Sequence, residues 1–214
     1  MVVRRRIKKF SQWFTIALVG CFIQSGMARA HPFSQEEYSL RTAVTVSERG
    51  VVPLVVLEVP IPVALKEIGA TVSDPKDVKR RKINAYNKAQ WDALSQNITF
   101  TVNGESAKGE WLAIDHPANG KATEGFFVYM VSFKFTKAPD LGSNVNIEIK
   151  NSAYPDSKMV YSGSATAREP WVVDSSTAKE VLGEYESADL TDPKRWSTSD
   201  ALRTMTISAH LVTE

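Results

Sequence analysis

From Glu37 to Pro60 the pattern is strand-like, and in its first half apolar side chains keep to one parity, a period that only an extended chain can bury on one face. Tyr38, Leu40, Val44 and Val46 share one parity. Glu48-Arg49-Gly50 then breaks the pattern, and the β-branched run Val51–Val59 resumes it, so the stretch reads as two antiparallel strands joined by a turn. Pro53 has no N–H to give a ladder and places one end of the second strand at an edge. Further strands are expected at Ile98–Val102, Trp111–Ile114, Phe126–Phe135, Val145–Ile149, Lys158–Tyr161, Trp171–Val173 and Leu202–Val212. In the last of these Met205, Ile207, Ala209 and Leu211 fall on one face, and Thr206, Ser208 and His210 on the other. Asn103-Gly104 is the dipeptide of a tight hairpin turn.

Helical spacing interrupts this pattern. Asp74-Pro75 reads as a helix start, with Asp as N-cap and Pro at the first helical position, followed by Ile83, Tyr86, Gln90 and Leu94 on one face. The basic run at 79–82 then lies on a solvated face. Thr177-Ala178-Lys179-Glu180 before Val181-Leu182 is a capping box, and Asp192-Pro193 opens another turn. About eight short strands with one or two short helical insertions predict an antiparallel β-sandwich.

Residues 1–30 carry the three parts of a secretory signal. Arg4, Arg5, Arg6, Lys8 and Lys9 form the basic end, Trp13–Ile23 the apolar run, and Ala28-Arg29-Ala30 the cleavage site. The apolar run is shorter than the roughly 20 residues of a membrane-spanning helix. Cleavage after Ala30 would make His31 the first residue and leave 31–214 as a single domain, periplasmic or secreted. A second reading stays open: Leu18-Val19-Gly20-Cys21 fits a lipoprotein cleavage site, which would tether the chain to a membrane at Cys21 and place His31 inside it. The basic segment also has a likeness to a twin-arginine signal, without its preceding Ser or Thr.

The leader holds six of the 26 basic residues and none of the 24 acidic ones, so residues 31–214 carry a net charge of −4. A net acidic domain argues against a nucleic-acid partner, which would call for a net basic domain with clustered Lys and Arg. Cys21 is the sole cysteine, so the rest of the chain has no disulfide, thiolate ligand or cysteine nucleophile. A metal site would be built from His, carboxylate, Met, Tyr or backbone.

The chain has three histidines: His31, His116 and His210. An N-terminal histidine chelates a metal through its amine and ring, and a second imidazole completes a three-nitrogen site of the kind that suits Cu(II). His116 lies in a turn, Ile114-Asp115-His116-Pro117-Ala118-Asn119-Gly120, where Asp115 can add an oxygen ligand. Here the chain resembles the histidine-brace copper proteins, most nearly the CopC-type periplasmic copper-binding proteins. The shared residues are Ala28-Arg29-Ala30, His31 directly after it, and Trp111-x-x-x-Asp115-His116-x-x-x-Gly120 before Phe126 and Phe127. In that family one residue separates the aspartate from the histidine, whereas Asp115 and His116 are adjacent, and the family's domain is shorter.

The resemblance implies an Ig-like sandwich that holds or delivers copper, without turnover, and a copper-trafficking or membrane-complex partner. His210 is a further candidate ligand if the last strand runs beside the Trp111–Ile114 strand. Tyr154 and Met159 are weighed as axial ligands against a tight turn with a core-facing Met. Trp91, Trp111, Trp171 and Trp196 read as packing residues. No nucleophile elbow, phosphate loop or His-Glu-x-x-His helix occurs. The competing reading is an exported interaction or accessory module that binds no metal.

Overall fold

The computed structural model describes residues 37–71, 73–115, 125–135, 138–155, 159–183 and 192–213. Within these the strands are β1 (Tyr38–Ser47), β2 (Gly50–Pro60), β3 (Ile98–Val102), β4 (Glu105–Asp115), β5 (Phe126–Lys134), β6 (Asn144–Asn151), β7 (Met159–Ala167), β8 (Trp171–Ser176) and β9 (Thr204–Leu211). The helices are α1 (Ile61–Ile68), α2 (Lys76–Asn97) and α3 (Thr177–Leu182).

The expected Ig-like antiparallel sandwich is not formed. The nine strands make one mixed sheet, in the order β7-β1-β2-β5-β4-β3-β6-β9-β8, that curls until its two ends nearly meet. Two features turn sandwich into barrel. The first is β4, whose start (Glu105–Ala107) pairs with β3 while the rest (Lys108–Asp115) pairs with β5, with a bulge between Trp111 and Ala113. One strand thus belongs to both halves, and a bulge is the device by which a sheet bends. The second is the parallel pairing of β1 with β7, from Tyr38 opposite Met159 to Val46 opposite Ala167. That pairing brings the late strands round beside the first one.

Alternation of apolar residues now has a clear meaning. Leu40, Val44, Val55, Leu57, Tyr129, Val131, Phe100, Ile147, Met205 and Ile207 point into a single core enclosed by the curled sheet. The Asn103-Gly104 turn joins β3 to β4 with φ of 50° and 82°, the conformation for which Gly is favoured. Pro53 sits where β2 extends past the β5 ladder, which begins at Leu54 opposite Ser132, so its missing N–H breaks no bond there.

The helices differ from expectation in number and position. α1, which the alternation of β2 does not announce, starts immediately after Pro60 with a proline at its first turn and ends at Gly69 in the left-handed region. α2 is a long helix of 22 residues, and its buried residues are Tyr86, Gln90 and Leu94. Its N-cap is Pro75, with no side-chain cap, in place of Asp74. Asp74 is drawn elsewhere: its carboxylate accepts from Thr71 N–H at 3.0 Å and from Lys82 Nζ at 2.9 Å, tying the link between α1 and α2. The Lys82 hydrogen bond, then that from Thr71, lowers its pKa to about 2. The α3 cap likewise falls one residue early, on Ser176, whose Oγ accepts from Lys179 N–H, while Thr177 Oγ1 accepts from Thr206 N–H.

The gap between β7 and β8 is narrowed by α3. At Gly163 an added Cβ would stand 2.9 Å from Met205 Sδ and 3.0 Å from Ala178 Cβ, so the helix packs where β7 has no side chain. Beyond it, Ser197 exchanges two backbone hydrogen bonds with Tyr161, of 2.7 and 2.9 Å.

Candidate functional site

His31 and His116 lie outside the described residues, as does the leader with Cys21. Asp115 is described through its backbone as the last residue of β4, in register with Val128. His210 is placed near the end of β9, which runs between β6 and β8 and so is not a neighbour of β4. Its register partners are Asn144 and Val172. Following the register across β3 and β6, this end of β9 corresponds to the Glu105 end of β4, opposite to Asp115. His210 and Asp115 therefore do not meet.

The partner His210 does have is one that sequence spacing could not show. Its Nδ1 lies 2.6 Å from Asp174 Oδ1, a cross-strand pair created by the β8–β9 register. A carboxylate in that position favours the tautomer with the proton on Nδ1 and leaves Nε2 as the lone-pair nitrogen. Among the described residues no group of three or more His, Cys, Asp or Glu is arranged to hold a metal.

The densest polar cluster of the described residues lies where α1 and α2 meet one end of the barrel. Tyr38 starts β1, and its hydroxyl is 2.7 Å from each oxygen of Glu67 on α1. Tyr86 on α2 donates to Glu67 Oε2 at 2.7 Å, and Tyr129 on β5 donates to Asn87 Oδ1 at 3.0 Å. Tyr154 donates to Gln90 Oε1, and its ring meets Tyr38 edge to face at 5.4 Å. Its hydroxyl is held by Gln90, and Met159 is buried in the core, while residues 156–158 between them lie outside the described residues.

Every one of these phenols is pushed well above the ordinary tyrosine range. Burial is the largest cause for Tyr38, Tyr86, Tyr129 and Tyr154, followed for Tyr38 and Tyr86 by hydrogen bonding to Glu67. Burial also raises Tyr161. Neutral, donating phenols fasten α1 and α2 to the barrel and supply neither base nor nucleophile at neutral pH. Their influence on stability has a definite sign. In the unfolded chain these groups ionise near 10.0, in the folded one far above it, so their contribution is complete below pH 10 and falls as the pH rises beyond. Urea unfolding on either side of pH 10, read with tyrosinate absorbance, should show four of the six phenols, Tyr38, Tyr86, Tyr129 and Tyr154, ionising only as the chain unfolds. Ionisation near 10 with the fold intact would contradict the arrangement.

A cavity of about 460 Å³ opens along the gap between β7, β8 and α3, with Arg41, Lys179 and Arg195 at its margin. Arg41 lies 3.5 Å from Glu58 and over the Trp196 ring at 5.6 Å.

No family model matches the chain, and no curated protein matches it. No described helix is long and apolar enough to cross a membrane.

Proposed function

We propose that the exported chain holds or delivers copper in the periplasm or outside the cell, binding one Cu(II) through the His31 amine and ring, the ring of His116 and an oxygen of Asp115. The observation that supports this reading is a row of register partners across four strands. Ser39 is opposite Glu58, Glu58 opposite Val128, and Val128 opposite Asp115. The start of β1 and the end of β4 therefore share one end of the sheet, three strand spacings or about 14 Å apart. His31 precedes Tyr38 by seven residues and His116 directly follows Asp115. Seven residues reach about 24 Å when extended, enough to bring the chain tip to the end of β4. A bound copper would supply Lewis acidity and a redox couple; the chain's own part would be to present nitrogen ligands from His31, seven residues before Tyr38, and from His116, next to Asp115.

The experiment is to express the full precursor in a bacterium and weigh the exported protein intact, before and after one equivalent of Cu(II). A chain beginning at His31 that keeps one copper through buffer exchange supports the reading. Prepending one alanine, or His116→Ala, should weaken binding by more than the about 10- to 100-fold that loss of an outer-shell partner costs. His210→Ala should leave it unchanged. Unchanged affinity after the added alanine, or a mature chain lipidated at Cys21, would overturn the assignment.

A further inference from the structure

The chain has two Asn-Gly pairs, Asn103-Gly104 and Asn119-Gly120, the second of them outside the described residues. In such a pair the backbone nitrogen of the glycine, with no side chain beside it to hinder approach, can attack the asparagine amide carbon. Val102 pairs directly with Glu105, so Asn103 and Gly104 are the whole of the turn between β3 and β4. Both are exposed. Gly104 N–H has no hydrogen-bond partner among the described residues, and a Cβ built on Gly104 would meet nothing within 4 Å. Water therefore reaches the nitrogen that must lose its proton.

The asparagine amide, by contrast, is held at both of its ends. Asn103 Oδ1 accepts from Asn146 N–H at 2.9 Å, and Asn103 Nδ2 donates to Asp140 O at 3.1 Å. Its own backbone N–H donates to Asn146 O at 2.8 Å, so the turn is clasped to the start of β6. Asp140 is set in place by its carboxylate, which accepts from Gly142 N–H at 3.0 Å. A donor and an acceptor of the one amide are thus engaged by two different segments, which fixes the plane of the group.

We propose that Asn103 is a site of spontaneous deamidation that the fold restrains: the clasp from Asn146 and Asp140 holds the amide away from Gly104 N, and the reaction proceeds when the clasp opens locally or the chain unfolds. Gly104 N gives its proton to solvent and bonds to Asn103 Cγ. The Cγ–Nδ2 bond breaks, the departing nitrogen takes a proton from solvent and leaves as ammonia, and a five-membered succinimide remains. Water opens that ring at one carbonyl to give aspartate, or at the other to give isoaspartate, so that overall amide and water become carboxylate and ammonia. Aspartate lacks the N–H that Asp140 O accepts and sets a negative charge against that carbonyl. Isoaspartate adds a backbone atom to a turn of two residues, at the start of the strand that β3 and β5 share. The site lies at the Glu105 end of β4, away from Asp115, so it and the copper reading can fail independently.

The test incubates the exported protein at mildly alkaline pH, native and in urea, and follows aspartate and isoaspartate at residue 103 by peptide mass mapping. In urea Asn103 should convert at the rate of Asn119, which is followed by the same residue. In the native protein it should convert about tenfold or more slowly, the effect of two hydrogen bonds of ordinary strength. Asp140→Ala, at an exposed position, removes the carboxylate that sets the Asp140 carbonyl in place and should speed native conversion about threefold or more, with the circular dichroism of the parent. Asn103→Asp reproduces one product and should lower the melting temperature by about 3 °C. Equal rates in the native and unfolded chain, no conversion at Asn103 in urea, an unchanged native rate in Asp140→Ala, or an unchanged melting temperature in Asn103→Asp would overturn the proposal.

Discussion

Phe100→Ala destabilises the domain by about 3–5 kcal/mol, the range for truncating a fully buried ring, and lowers its melting temperature by about 10 °C. Phe100 has no exposed surface, and its ring packs 5.5 Å from both Phe133 and Phe135. It stands on β3, opposite Ala107 of β4 on one side and Ile149 of β6 on the other. Removing the ring thus leaves a void at the joint that makes one sheet of two halves, and rigid strands on both sides limit its collapse. Thermal and urea unfolding of the variant measure the loss. Val52→Ala, at a position 47% exposed, is the control and should stay within about 0.5 kcal/mol of the parent. A loss below about 1 kcal/mol for Phe100→Ala would contradict this packing.

Gly163→Ala should cost about 1–3 kcal/mol, an unusual penalty for adding one methyl group to a strand. The new Cβ would lie 2.9 Å from Met205 Sδ and 3.0 Å from Ala178 Cβ. Met205 is flexible and can move its thioether aside. Ala178 cannot, because its Cβ moves only with the backbone of α3. The strain therefore expels the helix from the gap between β7 and β8. Ala178→Gly restores the missing space, so the double variant Gly163→Ala, Ala178→Gly should recover more stability than the sum of the single changes predicts. Additive losses would place the α3 contact elsewhere.

Much of the strand content was legible in the chain: burial on one face imposes a period of two, which was read correctly in β1 and β9, while β2 was read from its β-branched run. The caps were displaced by one residue for a local reason: Asp74 and Thr177 were each claimed by a more distant partner, Lys82 and Thr206. α1 was missed because its eight residues follow a strand without any polar break. The tyrosine cluster was invisible as a cluster, since Tyr38, Glu67, Tyr86 and Tyr129 come from four separate elements. His210 was recognised as a polar-face residue, but its pairing with Asp174 depends on a strand register that no spacing along the chain encodes.

By itself, the sequence determined that the domain is built mainly of half-buried strands, that it relies on no cysteine beyond residue 21, and that its ionic character is mildly acidic. Only the tertiary structure decided how those strands close. A sandwich and a curled single sheet bury the same alternating faces, so the hydrophobic pattern is degenerate between them. The choice was made by long-range pairing, above all the parallel contact of β1 with β7 and the sharing of β4 between β3 and β5. The antiparallel succession β1-β2-β5-β4 likewise sets the start of β1 and the end of β4 at one end of the sheet, and the proposed function rests on that placement.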